Sequence, residues 1–175
     1  VELPEISRRM FPISRNREDL GIAGLSMGGY GALRNGIKYQ DTFSVIASFS
    51  GAIYKNALPF EEDSSSPFFL TSRYAKSIFK DQDYYDSHGN QLFKAIEKVE
   101  NPSDLKIFMT CGTEDWLLDK SREFSRFLFE KGVPVIYKEK SGGHEWDFWD
   151  WSIKEFLDWW IPEDADLGVS SGNVR

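Results

Sequence analysis

Leu20-Gly21-Ile22-Ala23-Gly24-Leu25-Ser26-Met27-Gly28-Gly29-Tyr30-Gly31-Ala32-Leu33 is the stretch that decides how this chain is read. Its centre, Gly24-Leu25-Ser26-Met27-Gly28, matches G-x-S-x-G and stands between a short apolar run and a helix start built of small residues. A serine hydroxyl is a weak nucleophile until a base takes its proton, so the backbone has to present it clear of the chain and within reach of an imidazole. A sharp strand-to-helix turn does this: the nucleophile adopts strained backbone angles, and glycine two residues to either side lets strand and helix approach without a Cβ clash. On this reading Leu20, Ile22, Ala23 and Leu25 supply the strand, while Gly28, Gly29, Gly31 and Ala32 supply the closely packed helix. Chance yields three such fixed positions in a chain this long with a probability of roughly 0.06, so the surrounding sequence must carry the case. The bland alternative is a glycine-rich loop that binds phosphate or merely turns, but no lysine follows in P-loop register and no strand-linked G-x-G-x-x-G is present.

Composition bounds the rest. With 175 residues, 41% of them hydrophobic and 15% aromatic, the chain has the material for one globular domain with a sizeable core. A formal net charge of -7, with no basic run longer than Arg8-Arg9, argues against a nucleic-acid partner and favours neutral or cationic ligands. Cys111 has no second cysteine to pair with, and His88 and His144 have no ligands at metal-binding spacing, so neither a disulfide nor a metal site is expected. No cofactor is implied. No stretch approaches the ~20 apolar residues that span a bilayer, which points to the cytoplasm, although the start at Val1 without a methionine leaves room for a leader upstream.

Along the chain, residues 5–12 read as the end of a helix stopped by Pro12, and a strand over about 20–25 leads into the turn and a helix over about 27–39. The apolar runs 43–49 and 105–111 suit strands buried on both faces of a parallel sheet, and 133–138 reads as a third strand of that kind. Residues 117–131 put Leu117, Phe124, Phe127 and Leu128 on one face of a crossover helix, with Gly132 beyond it as the cap. A final helix over about 146–160 aligns Trp149, Ile153, Phe156, Leu157 and Trp160, a stripe that reads as core packing ahead of a ligand surface. Strands alternating with helices give a parallel α/β sheet with right-handed crossovers. Residues 52–100 form a long aromatic-rich insertion with candidate helices over 72–79 and 90–99, and residues 163–175 read as a loose acidic, Gly- and Ser-rich tail.

If Ser26 is a nucleophile, an orienting acid and a base should follow it in that order, each in a loop after a strand. Asp115, in Cys111-Gly112-Thr113-Glu114-Asp115, follows the 105–111 strand, and His144, in Ser141-Gly142-Gly143-His144-Glu145, follows the 133–138 strand. All three would then share the carboxyl edge of the sheet. Glu114 and Asp119 compete with Asp115: Asp119 lies a turn into a helix whose dipole it favours, and Glu114 would point opposite to Asp115 on an extended loop. His88 is the rival base, in a polar turn where an exposed histidine is the plainer reading.

Gly24–Leu33, Gly112-Thr113-Glu114-Asp115-Trp116-Leu117 and Gly142-Gly143-His144-Glu145-Trp146 together resemble the esterase D-like esterase family of α/β-hydrolases, with the bacterial tributyrin esterases as the nearest branch. The resemblance runs from about Ile6 to Ile161. It implies an α/β-hydrolase parallel sheet with flanking helices over residues 1–162, a Ser26, Asp115 and His144 triad, and the backbone N–H of Met27 as an oxyanion donor. The implied activity is a serine carboxylesterase acting on short-chain acyl or carbohydrate-linked esters; an acyltransferase of the same family and a non-catalytic remnant are the alternatives. Phe60, Phe68, Phe69 and Tyr74 in the insertion are the candidates for an acyl-pocket wall, with core packing an equal reading for each. In this fold a second oxyanion donor sits after an earlier strand, and only 25 residues precede Ser26. The chain is therefore expected to lack the N-terminal strands, to leave its nucleophile strand at a bare edge, and to be a piece of a longer protein or to have its sheet completed by a second copy.

Overall fold

The computed structural model describes residues 2–55 and 71–161. Its elements run α1 (Glu2–Met10), β1 (Gly21–Leu25), α2 (Met27–Lys38), β2 (Val45–Phe49), α3 (Ser72–Phe79), α4 (Gln82–Ser87), α5 (Leu92–Ile96), β3 (Ile107–Gly112), α6 (Leu118–Glu130), β4 (Val135–Lys140) and α7 (Trp146–Trp160). The four strands form one parallel sheet in the order β1-β2-β3-β4, so space follows sequence and β1 is an edge among the described residues.

Side chains alternate across the strands, and two cores follow from that alternation. On one face Ile46, Ile107 and Met109 meet Leu33 and Ile37 of α2, Phe93 of α5 and Phe124 of α6. On the other, Val45, Ala47, Phe49 and Phe108 meet Phe148, Trp149 and Phe156 of α7. Every residue of β2 and β3 is buried, as continuous apolar runs require. β4 departs from its expected span. It begins at Val135 and continues through charged residues because the ladder with β3 runs on to Gly112 opposite Lys140. Its charges are tied to the flanking helices, Lys138 to Glu155 and Arg122 to Glu139, each at 2.7 Å.

The last helix keeps its expected bounds but turns a different face inward. Phe148, Trp149, Ser152 and Phe156 are buried, whereas Ile153 and Leu157 are 37% and 40% exposed. The cause is polar: Thr110 donates to the Ser152 hydroxyl at 2.9 Å, and that hydroxyl donates to the Phe148 carbonyl at 2.9 Å. A satisfied serine can occupy the centre of a buried face, and a purely apolar pattern misses it. In the insertion α3 matches its expected span, while the second expected helix contracts to α5, with α4 before it. Phe60, Phe68 and Phe69, and the tail 163–175, lie outside the described residues.

At the β1–α2 turn Ser26 has φ 53° and ψ -120°, a region that non-glycine residues avoid. Close approach is required at Gly24, where a Cβ would lie 2.3 Å from the Gly28 carbonyl oxygen, and at Gly29, where it would lie 2.7 Å from Ser48 Oγ. At Gly28 a Cβ would meet nothing within 4 Å, so the second glycine of the pentapeptide is not the one that packing demands.

Two outcomes follow from the packing. Gly24→Ala should lower stability by about 1–3 kcal/mol through a clash with fixed backbone, whereas Gly28→Ala should leave the urea midpoint unchanged or raise it, a helix-interior glycine being worse than alanine by up to ~1 kcal/mol. Cys111 is fully buried in β3, and burial pushes its thiol up to about 11. Iodoacetamide should therefore leave it unmodified in the folded protein and alkylate it in urea, as read by intact mass.

Candidate active site

The carboxyl ends of β1, β3 and β4 deliver three loops to one edge of the sheet. After β1, the Ser26 N–H donates to the Phe49 carbonyl at 2.9 Å, and the Ser26 carbonyl accepts from Ala52 N–H at 3.0 Å and Tyr30 N–H at 3.2 Å. The turn is thus bound on both sides, and α2 starts at Met27 with its N-terminus at the serine. After β3, Asp115 N–H donates to the Gly112 carbonyl at 3.1 Å, and the carboxylate is fully enclosed. Asp115 Oδ1 accepts from Leu117 N–H at 2.9 Å, which aims the second oxygen outward.

That second oxygen, Oδ2, lies 2.8 Å from His144 Nδ1, and His144 Nε2 lies 2.8 Å from Ser26 Oγ. An ionised carboxylate only accepts, so the pairing puts the ring proton on Nδ1 and leaves the Nε2 lone pair to receive the Ser26 hydroxyl proton. His144 is 20% exposed in its side chain and lines the cleft. Trp149 meets the imidazole edge-on at 4.9 Å and Trp116 tilts against it at 5.5 Å, so both rings restrict its rotation.

The rival residues fall elsewhere. Glu114 turns to Ser141 and Gly142, Asp119 sits exposed in the first turn of α6, and His88 is exposed, stacked on Tyr84 with ring centroids 4.0 Å apart.

Beside Ser26 and His144 opens a cleft of about 430 Å³, within the range that holds small ligands. Tyr74, expected there from the sequence, is in its wall, and its hydroxyl donates to Met27 Sδ at 3.2 Å. Tyr30, Tyr54, Tyr85 and Trp116 also line it and escaped the sequence reading. Two of them carried a signal: Tyr30 lies four residues past Ser26, hence one helical turn along the same face, and Trp116 directly follows Asp115. Burial raises the phenols of Tyr30 and Tyr54, and burial followed by the Asp86 charge pushes Tyr85 up to about 12, so these walls stay uncharged at neutral pH. A neutral, largely apolar group fits such a surface.

The family described as "Putative esterase" matches residues 1–159. An acetyl esterase of Caldicellulosiruptor saccharolyticus is 36% identical over 160 residues, covering 90% of this chain and 60% of that protein. Among solved structures, an S-formylglutathione hydrolase from Staphylococcus aureus superposes with a TM-score of 0.70 at 26% identity, covering 91% of this chain and 61% of that one. A fluorophosphonate-binding serine hydrolase of Staphylococcus aureus reaches a TM-score of 0.75 at 24% identity over 91% and 60% of the two chains, a likeness of fold. The chain spans about 60% of the length of the acetyl esterase it matches. The parallel sheet and its elbow are thus those of an α/β-hydrolase, and the chain belongs to this esterase family.

Proposed function

We propose that this chain carries the acyl-transfer centre of a serine carboxylesterase, with Ser26 as nucleophile, His144 as general base and then acid, and Asp115 as the group that orients and stabilises the imidazole. The observation that carries the reading is the unbroken relay of two 2.8 Å contacts from Ser26 Oγ through His144 to Asp115, opening on an apolar cleft. Ser26 Oγ attacks the ester carbonyl while His144 Nε2 takes its proton. The Met27 N–H, at the positive end of α2, donates to the developing oxyanion. Collapse of the tetrahedral intermediate expels the alcohol, protonated by Nε2, and leaves Ser26 acylated. Water then enters, gives a proton to Nε2 as its oxygen attacks the acyl carbon, and the acid leaves as the acyl–Oγ bond breaks and Nε2 returns the proton to Ser26 Oγ. Asp115 keeps its place beside the imidazole through the bond that its Oδ1 accepts from the Leu117 N–H.

Short acyl groups are the favoured substrates on this reading, supported by the acetyl esterase relative and by the bulk of Tyr74, which bonds to Met27 in the cleft wall. The same acyl-enzyme serves a transferase if a sugar hydroxyl replaces water, and product analysis with an added alcohol acceptor separates the two: free acid alone for a hydrolase, new ester for a transferase.

A fluorophosphonate probe should label Ser26, and Ser26→Ala should abolish labelling. Asp115→Asn should keep the fold and lower kcat by about 10³–10⁴-fold, because the amide holds the wrong imidazole tautomer. Labelling that survives Ser26→Ala, or turnover indifferent to Asp115→Asn, would sink the assignment. With nitrophenyl acetate and octanoate compared, Tyr74→Ala should raise the octanoate-to-acetate ratio of kcat/KM by roughly tenfold, the range that small changes in an apolar pocket command.

A further inference from the structure

We propose that Glu114 is a positioning residue, whose carboxylate clips the loop Ser141-Gly142-Gly143 so that His144 reaches Asp115 and Ser26 at once. The inference rests on the catalytic reading above and adds to it a residue with no place in the proton relay.

The clip is built from three hydrogen bonds. Glu114 Oε2 accepts from Gly142 N–H at 2.5 Å, Glu114 Oε1 accepts from the Ser141 hydroxyl at 3.3 Å, and the Glu114 N–H donates to the Gly142 carbonyl at 3.2 Å. The next amide of the loop, Gly143 N–H, is taken by Glu145 Oε1 at 3.0 Å. Consecutive loop amides are therefore each held by a carboxylate, immediately before the histidine.

The loop needs such holding. Gly142 has φ +150°, and two glycines in succession give this segment more freedom to lose than any other pair of residues. It also lies flush on the end of β3: a Cβ on Gly112 would come within 1.9 Å of the Gly142 carbonyl oxygen. The β3 end therefore bounds the loop on one side, and the Glu114 carboxylate holds its Gly142 amide and Ser141 hydroxyl. His144, two residues on, has 2.8 Å contacts at both ring nitrogens, which leaves little slack.

Glu114 is exposed, so its bonds to the loop are worth little to global stability. Their value lies in geometry. The Gly142 N–H, followed by the Thr113 hydroxyl, holds the Glu114 carboxyl below the usual carboxylate range, in keeping with an acceptor that stays ionised.

The test compares Glu114→Ala and Glu114→Gln in this protein by three readouts: acetyl-ester kinetics, the melting temperature, and the downfield proton resonance of the His144 Nδ1–H. Glu114→Ala should lower kcat on the order of 10- to 100-fold, as a displaced catalytic group does, with KM within about twofold of the parent. It should broaden the His144 resonance and shift the melting temperature by only a few degrees. Glu114→Gln should recover most of the rate and a sharp resonance, since its amide oxygen still accepts from the Gly142 N–H. The clip is overturned by a kcat for Glu114→Ala within twofold of the parent, by a loss confined to KM, by equal impairment in Glu114→Gln, or by a melting temperature lowered by more than roughly 10 °C, which would make the role structural. If the parent shows no turnover dependent on Ser26, the esterase reading fails by itself, and the resonance in the two variants still decides whether Glu114 positions the ring.

Discussion

The hydrogen bond from the Ser26 N–H to the Phe49 carbonyl is the constraint on which the site depends. It extends the β1–β2 ladder one residue past its last pair, Leu25 opposite Phe49, into a backbone conformation that a serine would otherwise leave. Holding a non-glycine residue there costs about 1–3 kcal/mol, and bonds worth about 0.5–1.5 kcal/mol each offset it: this one, and those that the Ser26 carbonyl receives from Ala52 and Tyr30. The bonds from opposite sides leave the chain one way to turn. That turn fixes the direction of α2, and with it the line of Met27 and Tyr30 along the cleft.

The parallel order of the sheet does the remaining gathering. Because all four strands run the same way, their carboxyl ends collect at one rim, and the loops after β1, β3 and β4 bring up the serine, the carboxylate and the imidazole without any long excursion. α7 completes the arrangement from the second face. Its first turns carry Phe148 and Trp149 into the core, so the residue that anchors the helix also abuts the imidazole. The bonded series Thr110, Ser152 and Phe148 locks that helix to the middle of β3.

Much of this was legible in the sequence, and the reasons it was legible are local. The 43–49 run, and the 105–111 run past Lys106, read as doubly buried strands because no large polar residue interrupts them there, and the order of Ser26, Asp115 and His144 after successive strands predicts a common edge. What escaped was decided by non-local partners. The inward face of α7 depends on a hydroxyl 42 residues away in sequence, and the true end of β4 on the length of its neighbour. Gly28 looks required because the motif includes it, whereas the backbone contact that excludes a side chain falls on Gly24 and Gly29. Glu114 could be set aside as the acid from its neighbour's position, but nothing local tells that its carboxylate meets a loop 28 residues on.

Ser26 and His144 are 118 residues apart in sequence, and their side chains touch only when all four strands are in register. Closing so long a loop costs entropy that is recovered only after the sheet has zipped, which makes this contact among the last to form as the chain folds. Packing of one helical layer against part of the sheet does not by itself bring Ser26 to His144. With Ser26 as the nucleophile proposed above, its reactivity counts natively assembled molecules in a population where total protein, helicity or apolar burial counts partly folded ones as well.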